Sequence, residues 1–258
     1  MIRLAVAGAT GRTGRRVLEL ADGDDQFVIA AALARAGCSA TPSTIRVGER
    51  DIPVVDTLDT PCDVLIDFTV ADGTIAWLDV CERSGLPMVI GATGHTDQQL
   101  VRIREAARVI PIVKESNFSP GIQAILSIVG PLAARLGDAY DVEIIETHHR
   151  RKIDAPSGTA LSFADEVAAA TGRTRQDSVI FGRQGQVGAR PKGQIGVHAV
   201  RMGDVVSSHE IHFSGPGETV TVRHTAHSRD TFAAGALRAA AWIVGQQPGF
   251  YSMNDVMS

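Results

Sequence analysis

The stretch Glu143 to Ala160, EIIETHHRRKIDAPSGTA, holds the densest group of side chains capable of chemistry. Two adjacent histidines, His148 and His149, precede Arg150, Arg151 and Lys152. On an extended strand adjacent residues point to opposite faces, so the two histidines need not act alike. Clustered cations work against one another's charge. That suits Lys152 to proton donation near neutrality, and the cluster draws an anionic substrate. Ser157-Gly158-Thr159 follows Pro156 and opens a helix, where N–H groups and hydroxyls form a second anion site fit for a carboxylate. The pattern predicts an acid–base enzyme acting on an anion.

The second functional signal is Gly8-Ala9-Thr10-Gly11-Arg12-Thr13-Gly14, placed directly after an apolar strand and before a helix. Glycines there permit a sharp turn and let backbone N–H groups approach a pyrophosphate resting on the helix N-terminus. The end of the second strand, where an acid commonly binds ribose hydroxyls, carries Ala34 followed by Arg35. A guanidinium suits a 2′-phosphate. Gly91-Ala92-Thr93-Gly94 and Asp67-Phe68-Thr69 end later strands, as does Asn117-Phe118, and loops at such ends line a ligand crevice.

Metal chemistry is not expected. His209 and His212 lie three apart on a predicted strand, hence on opposite faces, and H-E-I-H lacks the spacing of a zinc-protease helix. Cys38, Cys62 and Cys81 are isolated and odd in number, which argues against a disulfide framework or a zinc site.

These groups must be positioned by regular elements. Ile2–Ala7, Phe27–Leu33, Val64–Phe68, Met88–Ile90 and Ile110–Val113 read as apolar strands, with helices at Thr13–Ala21 and Ile75–Ser84. Continuous apolar strands alternating with helices predict a doubly wound parallel sheet. Beyond Asn117 the pattern changes. A helix over about Ile122–Leu136 leads to a strand at Tyr140–Thr147 and a helix at Thr159–Ala170. Alternating strands follow at Gly196–Met202, Ser207–Phe213 and Thr219–His224, with turns at Gly203-Asp204 and Gly215-Pro216-Gly217. These predict an antiparallel or mixed sheet. Gly182–Gly196 reads as a long functional or interface loop. Thr231–Val244 is an alanine-rich helix able to pack back on the first domain. The fold class expected is α/β: a Rossmann-type domain over 1–119, to which a C-terminal helix over 229–258 returns, and a smaller α+β domain over 120–228.

The 258 residues carry a formal net charge of −4, with 44% apolar and 21% charged residues. That balance gives no electrostatic case for nucleic acid or an anionic membrane. No leader-like segment and no run of about 20 apolar residues is read, so the expectation is a cytoplasmic protein. A short-chain dehydrogenase would need a tyrosine four residues before a lysine. Tyr140 and Tyr251 are instead followed, four later, by Ile144 and Asp255. A non-catalytic nucleotide sensor would suit the glycine turn but has no need of the histidine–lysine cluster.

The stretch Glu143 to Ala160 resembles throughout the signature of the 4-hydroxy-tetrahydrodipicolinate reductase (dihydrodipicolinate reductase) family. The Gly8 turn, Asp67-Phe68-Thr69, Gly91-Ala92-Thr93-Gly94, Asn117-Phe118-Ser119, Arg201-Met202-Gly203-Asp204 and Ser228-Arg229 are similar to it in the same order. The resemblance spans essentially the whole chain. It implies reduction of a cyclic dicarboxylate in lysine and diaminopimelate synthesis, and a homotetramer assembled through the central domain. It implies His148 and Lys152 as catalytic residues, and His149, Gly158 and Thr159 as substrate-binding residues. The cofactor set it implies is Gly8, Ala9, Thr10, Gly11, Arg12, Thr13, Arg35, Gly91, Ala92, Thr93, Glu115, Ser116, Asn117 and Phe118. Where some members carry an acid, this chain has Ala34, so NADPH is the expected cofactor and NADH the alternative.

Overall fold

The computed structural model describes residues 1–34 and 44–258. Arg35 and Cys38 lie outside the described residues. The chain divides into two compact units, Met1–Pro120 with Arg229–Ser258, and Gly121–Ser228.

In the first unit, β1 (Ile2–Ala7) runs through the glycine turn into α1 (Arg12–Asp22) and returns as β2 (Phe27–Leu33). Gly14, Val17, Leu18 and Ala21 form the buried face of α1, the spacing of one helical stripe. Next come β3 (Thr44–Val47), β4 (Arg50–Val55), β5 (Val64–Asp67), α2 (Ala71–Ser84), β6 (Met88–Ile90), α3 (Asp97–Ala106) and β7 (Pro111–Lys114). The strands form a sheet in the order β13-β7-β6-β5-β1-β2-β4-β3, parallel except for the β3–β4 pair.

Three of these elements go beyond the sequence reading. The β3–β4 hairpin turns at Gly48, whose φ is +55°. Its buried residues alternate (Ile45, Val47) rather than forming a continuous apolar run, and Pro53 argues against a strand. The α3 helix is announced locally by a capping box in which Thr96 and Gln99 satisfy each other's backbone N–H groups.

In the second unit, α4 (Pro120–Leu136) is followed by β8 (Asp141–His148), α5 (Gly158–Ala170), the short α6 (Arg175–Ser178), β9 (Val179–Phe181), β10 (Ile195–Arg201), β11 (Ser207–Gly215) and β12 (Glu218–Ala226). The sheet order is β12-β11-β8-β10-β9. It is mixed: β10 runs parallel to β8 and β9, whereas β11 runs antiparallel to β8 and β12. The Gly203 turn therefore makes no hairpin. It carries the chain across the end of β8, so that β10 and β11 flank that strand.

Along β8 the residues Val142, Ile144, Glu146 and His148 are buried, and those between them are not. The apolar members of that face pack with Phe163, Ala164 and Val167 of α5 and with Ile122, Val129 and Ala133 of α4. By length and composition α4 is apolar enough to cross a membrane. These burials place one face of it in the core of this unit, while Ile128 on it is exposed. The opposite sheet face carries Glu143, His198, Glu210, His212 and Arg223, joined by ion pairs. The 182–194 segment is tied back to that face by Arg183 and Arg190, which both reach Glu143, at 2.7 and 3.1 Å.

The C-terminal segment completes the first unit. The single returning helix expected over 229–258 is corrected: α7 (Asp230–Ile243) is followed by β13 (Gly249–Tyr251), parallel to β7, and the short α8 (Met253–Met257). Gly245, at φ +93°, ends the helical run. Ala233, Ala236, Ala240 and Ile243 of α7 join the core containing Val17 and Leu18 of α1. Arg16 adds a bidentate bond to Asp230, at 2.5 and 2.8 Å.

Candidate active site

Strand register assembles the polar site of the second unit. Arg201 of β10 pairs with His148, and His209 of β11 pairs with Glu146. Glu146 and His148, two apart on β8, share the inward face. Four polar side chains therefore stand side by side where α5 begins.

Glu146 is fully buried and accepts four hydrogen bonds. His148 Nδ1 lies 2.5 Å from its Oε2. Arg201 donates to both carboxylate oxygens, at 2.8 and 2.7 Å. The Ser157 N–H donates to Oε1 at 2.9 Å. Burial works against the charge on Glu146, but the bonds from His148, Arg201 and Ser157 outweigh it and hold the carboxyl down at about 2. The second amino group of Arg201 also donates to the Asp154 carbonyl at 2.8 Å, fixing the segment that carries Lys152.

His209 is fully buried beside this group. Its Nε2 lies 3.1 Å from Ser157 Oγ, and its ring stands edge-on to His148 and Phe163, with centroids 5.3 and 5.9 Å away. Burial, aided by the neighbouring His148, drives its pKa down to about 3, so it is neutral at physiological pH. Ser157 caps α5 by accepting from the Ala160 N–H at 3.2 Å. Thr159 is buried in the first turn, whereas a Cβ placed on Gly158 would meet only open space. The start of α5 thus has room for a ligand at the positive end of the helix.

Lys152 sits on a tight turn closed by its N–H on the His149 carbonyl, at 3.1 Å. His149 is buried next to His148. The crowding of cations anticipated from the sequence is not found. Lys152 Nζ pairs with Asp154 at 2.9 Å, Arg151 turns to Asp204 at 3.1 Å, and Arg150 is exposed. Alternating carboxylates separate charges that are adjacent in sequence.

The cofactor residues expected from the sequence lie in the first unit. Gly8 has φ +79°, and a Cβ on it would sit 2.6 Å from the Phe68 carbonyl oxygen. A Cβ on Gly11 would press on the Gly8 carbonyl at 3.1 Å, and one on Gly14 closer still. The turn Gly8-Ala9-Thr10-Gly11 therefore closes only with glycines, and it delivers the chain to α1, whose N-cap Gly11 supplies no side-chain cap. Arg12 and Thr13 open that helix. The N–H groups of Gly8 and Ala9 are taken by the Leu33 carbonyl and that of Gly11 by the Gly8 carbonyl, so it is the first-turn N–H groups of α1, from Arg12 on, that fit a pyrophosphate.

At the other strand ends, a Cβ on Gly91 would strike the Phe68 ring, Ala92 is buried and Thr93 is exposed. Two expected cofactor residues turn out to have structural work for their side chains. Glu115 accepts from the Met253 N–H at 3.0 Å, and Phe118 is core, edge-on to Phe68 at 6.1 Å. Asn117 accepts from the Ser119 N–H at 2.9 Å, shaping the same loop, and Ser116 lies within it. Asp67 is buried and bound by the hydroxyls of Thr69 and Thr74, both at 2.5 Å.

Sequence reasoning missed Glu146 and set His209 aside. Glu146 shares the inward, period-two face of β8 with His148, but its tie to Arg201, like that of His209 to Ser157, spans more than fifty positions. Among the described residues no cluster of histidine, cysteine and acidic groups could hold a metal. Burial raises the thiols of Cys62, to about 11, and Cys81 further, so both stay protonated.

Comparison with known proteins identifies this architecture. Residues 2–118 match the family described as dihydrodipicolinate reductase, N-terminus, and residues 121–257 the one described as dihydrodipicolinate reductase, C-terminus. The 4-hydroxy-tetrahydrodipicolinate reductase of Myxococcus xanthus is 42% identical over 266 residues, covering 100% of this chain and 98% of that protein. That of Psychrobacter arcticus is also 42% identical, covering 100% and 95%. Among solved structures, dipicolinate-bound dihydrodipicolinate reductase from Paenisporosarcina sp. TG-14 superposes with a TM-score of 0.78 at 25% identity, covering 98% and 99% of the two chains. Aspartate semialdehyde dehydrogenase II of Vibrio cholerae, at 11% identity and a TM-score of 0.56, shares the fold alone. Matched along both units, this chain belongs to the dihydrodipicolinate reductase family.

Proposed function

We propose that the chain reduces 4-hydroxy-tetrahydrodipicolinate to tetrahydrodipicolinate with NAD(P)H, in lysine and diaminopimelate biosynthesis. The observation that carries this reading is the assembly of His148 and the Ser157 turn around one buried carboxylate, with the Lys152 segment tied to it through Arg201, within a chain whose relatives bear that activity over their full length.

In this reading Gly8 to Thr13 hold the cofactor pyrophosphate, with Gly91 to Thr93 and the 115–118 loop lining the same crevice. When bound, a nicotinamide cofactor would supply hydride to C4 of the ring once the C4 hydroxyl and a proton from the adjacent ring carbon have left together as water. The residues of the second unit do the rest. Lys152, His149 and the first turn of α5 hold the two carboxylates and fix the ring's orientation. His148 or Lys152 delivers the proton that balances the hydride, as negative charge develops on the ring. Ala34 is buried at the end of β2 and offers no carboxylate to ribose hydroxyls. With Arg35 beside it, NADPH is preferred or fully accepted. The polar sheet face bearing Glu143, His198 and Arg223 suits a homotetramer, and the activity suits the cytoplasm.

A steady-state assay with the ring substrate, using NADPH and then NADH, tests the reading. Turnover with NADPH, inhibited competitively by pyridine-2,6-dicarboxylate, is the expected result. NADPH binding without turnover would replace the enzyme with a sensor.

A further inference from the structure

The residues around His148 are more tightly organised than a solvent-facing acid requires. Its Nδ1 is committed to Glu146 at 2.5 Å, which leaves Nε2 as the nitrogen able to exchange a proton with a ligand. An imidazole whose Nδ1–H is held by a carboxylate has one tautomer and one orientation. Glu146 is itself immobilised. Arg201 grips both its oxygens, and the Ser157 N–H binds one of them. Through Arg201 the same carboxylate is coupled to the Asp154 carbonyl, two residues from Lys152. Through Ser157 it is coupled to the turn that starts α5.

We propose that Glu146, clamped by Arg201, is the positioning residue of the reaction site. It holds His148 as the Nδ1–H tautomer with Nε2 presented for proton transfer, and it sets the Lys152 segment and the α5 anion turn in register with that nitrogen. The inference rests on the reading of His148 as an acid–base residue. The groups facing the His148–Glu146 pair in this unit are Arg201 from β10, His209 from β11, with His224 of β12 behind it, and Lys152 and Asp154 from the connecting segment. Among the described residues of this group, Arg201 bonds the Glu146 carboxylate alongside His148, so the negative charge of Glu146 is shared between a fixed cation and an ionisable ring. His209, kept neutral by burial, gives His148 an edge-on wall without a competing charge.

A positioning residue should affect turnover more than substrate binding. Glu146→Gln preserves shape but removes the charge and lets either end of the amide face the ring. The expected result is a fall in kcat of about 10²–10⁴-fold, the range for loss of acid–base function, with KM changed only a few-fold. Glu146→Asp, which restores the carboxylate on a shorter arm, should recover part of that loss. Nitrogen-15 NMR of the histidine rings in the unmodified protein, at alkaline pH, should show His148 protonated on Nδ1. This measurement stands even where a variant fails to fold. His148 protonated on Nε2, or Glu146→Gln with near-normal kcat, overturns the proposal. His148→Gln separates the two levels. If it leaves kcat intact, the acid–base reading itself is wrong. If it abolishes turnover while Glu146→Gln does not, His148 keeps its role and Glu146 loses its own.

Discussion

Asp67 and Glu146 are both fully buried carboxylates near the C-terminal ends of strands, one in each unit, yet they behave in opposite ways. Asp67 is bound only by neutral donors: the Thr69 N–H at 2.8 Å and the Thr69 and Thr74 hydroxyls. Burial dominates and raises its pKa. Glu146 is bound by a guanidinium and an imidazole, and its carboxyl is held down at about 2. Burial alone does not decide the state of an acid; the charge of its partners does. The contrast extends to function. In the proposed reading the first unit works through backbone and missing side chains, the Gly8 turn above all. The second works through a buried charge network.

The largest effect expected on the charged side of this comparison is catalytic. His148→Gln and Lys152→Ala should each lower turnover by about 10²–10⁴-fold. NADPH affinity, measured by fluorescence titration, should stay nearly unchanged because both residues belong to the second unit. Near-normal turnover in either variant would remove that residue from the chemistry.

Stability sharpens the comparison next. Arg201→Ala strands a buried anion, which costs about 3–5 kcal/mol when one partner of such a pair is lost. Asp67→Asn removes a charge that has no cationic partner and should change stability by about 1 kcal/mol or less. Urea unfolding of both variants checks this, and equal losses would erase the distinction. Acid should separate the units with the opposite signs. The depressed Glu146 contributes stability present above its ordinary value of 4.5 and lost as pH falls toward about 2. His209, depressed from 6.5 to about 3, also makes acid unfavourable, because the unfolded chain takes the proton first. The raised Asp67 works the other way: its contribution is present at low pH and lost as pH rises through its folded value. Hydrogen exchange resolved by segment should therefore show β8 and β11 opening at a higher pH than β5 during acidification.

A smaller effect is expected from Arg35, proposed to favour NADPH. Arg35→Ala should weaken NADPH by roughly tenfold to a hundredfold, from loss of a hydrogen bond to a charged group worth about 1.5–3 kcal/mol, and leave NADH nearly unchanged. Equal losses for both cofactors, or none for NADPH, would show that the glycine turn alone sets affinity.

What the sequence disclosed follows the same division. The glycine turn, the apolar strands and the α5 cap were legible because each is a local pattern: a φ requirement, a run of apolar residues, a serine before a helix. The β3–β4 hairpin was not, since Ile45 and Val47 alternate with charged residues and Pro53 interrupts the pattern. The position of β10 beside β8 was not legible either, because the Gly203 turn looks like a hairpin turn and the order of strands is a tertiary choice. Within the site, His148 and Lys152 stood out by type and spacing. Glu146 gained its meaning only from Arg201, 55 positions away, and His209 from Ser157, 52 away. Long-range partners convert ordinary residues into site residues, and a linear reading has no measure of them.

The central claim is that the chain moves hydride from a nicotinamide cofactor to C4 of the cyclic dicarboxylate. The most direct test follows the atom itself: NADPH carrying deuterium at nicotinamide C4, on the face transferred by the enzyme, is incubated with the ring substrate, and the product is read by mass spectrometry and NMR. One deuterium at C4 of tetrahydrodipicolinate, formed in step with NADPH oxidation, is the predicted result. NADPH oxidised without deuterium in the ring, or no oxidation under conditions where NADPH and pyridine-2,6-dicarboxylate both bind, would contradict it.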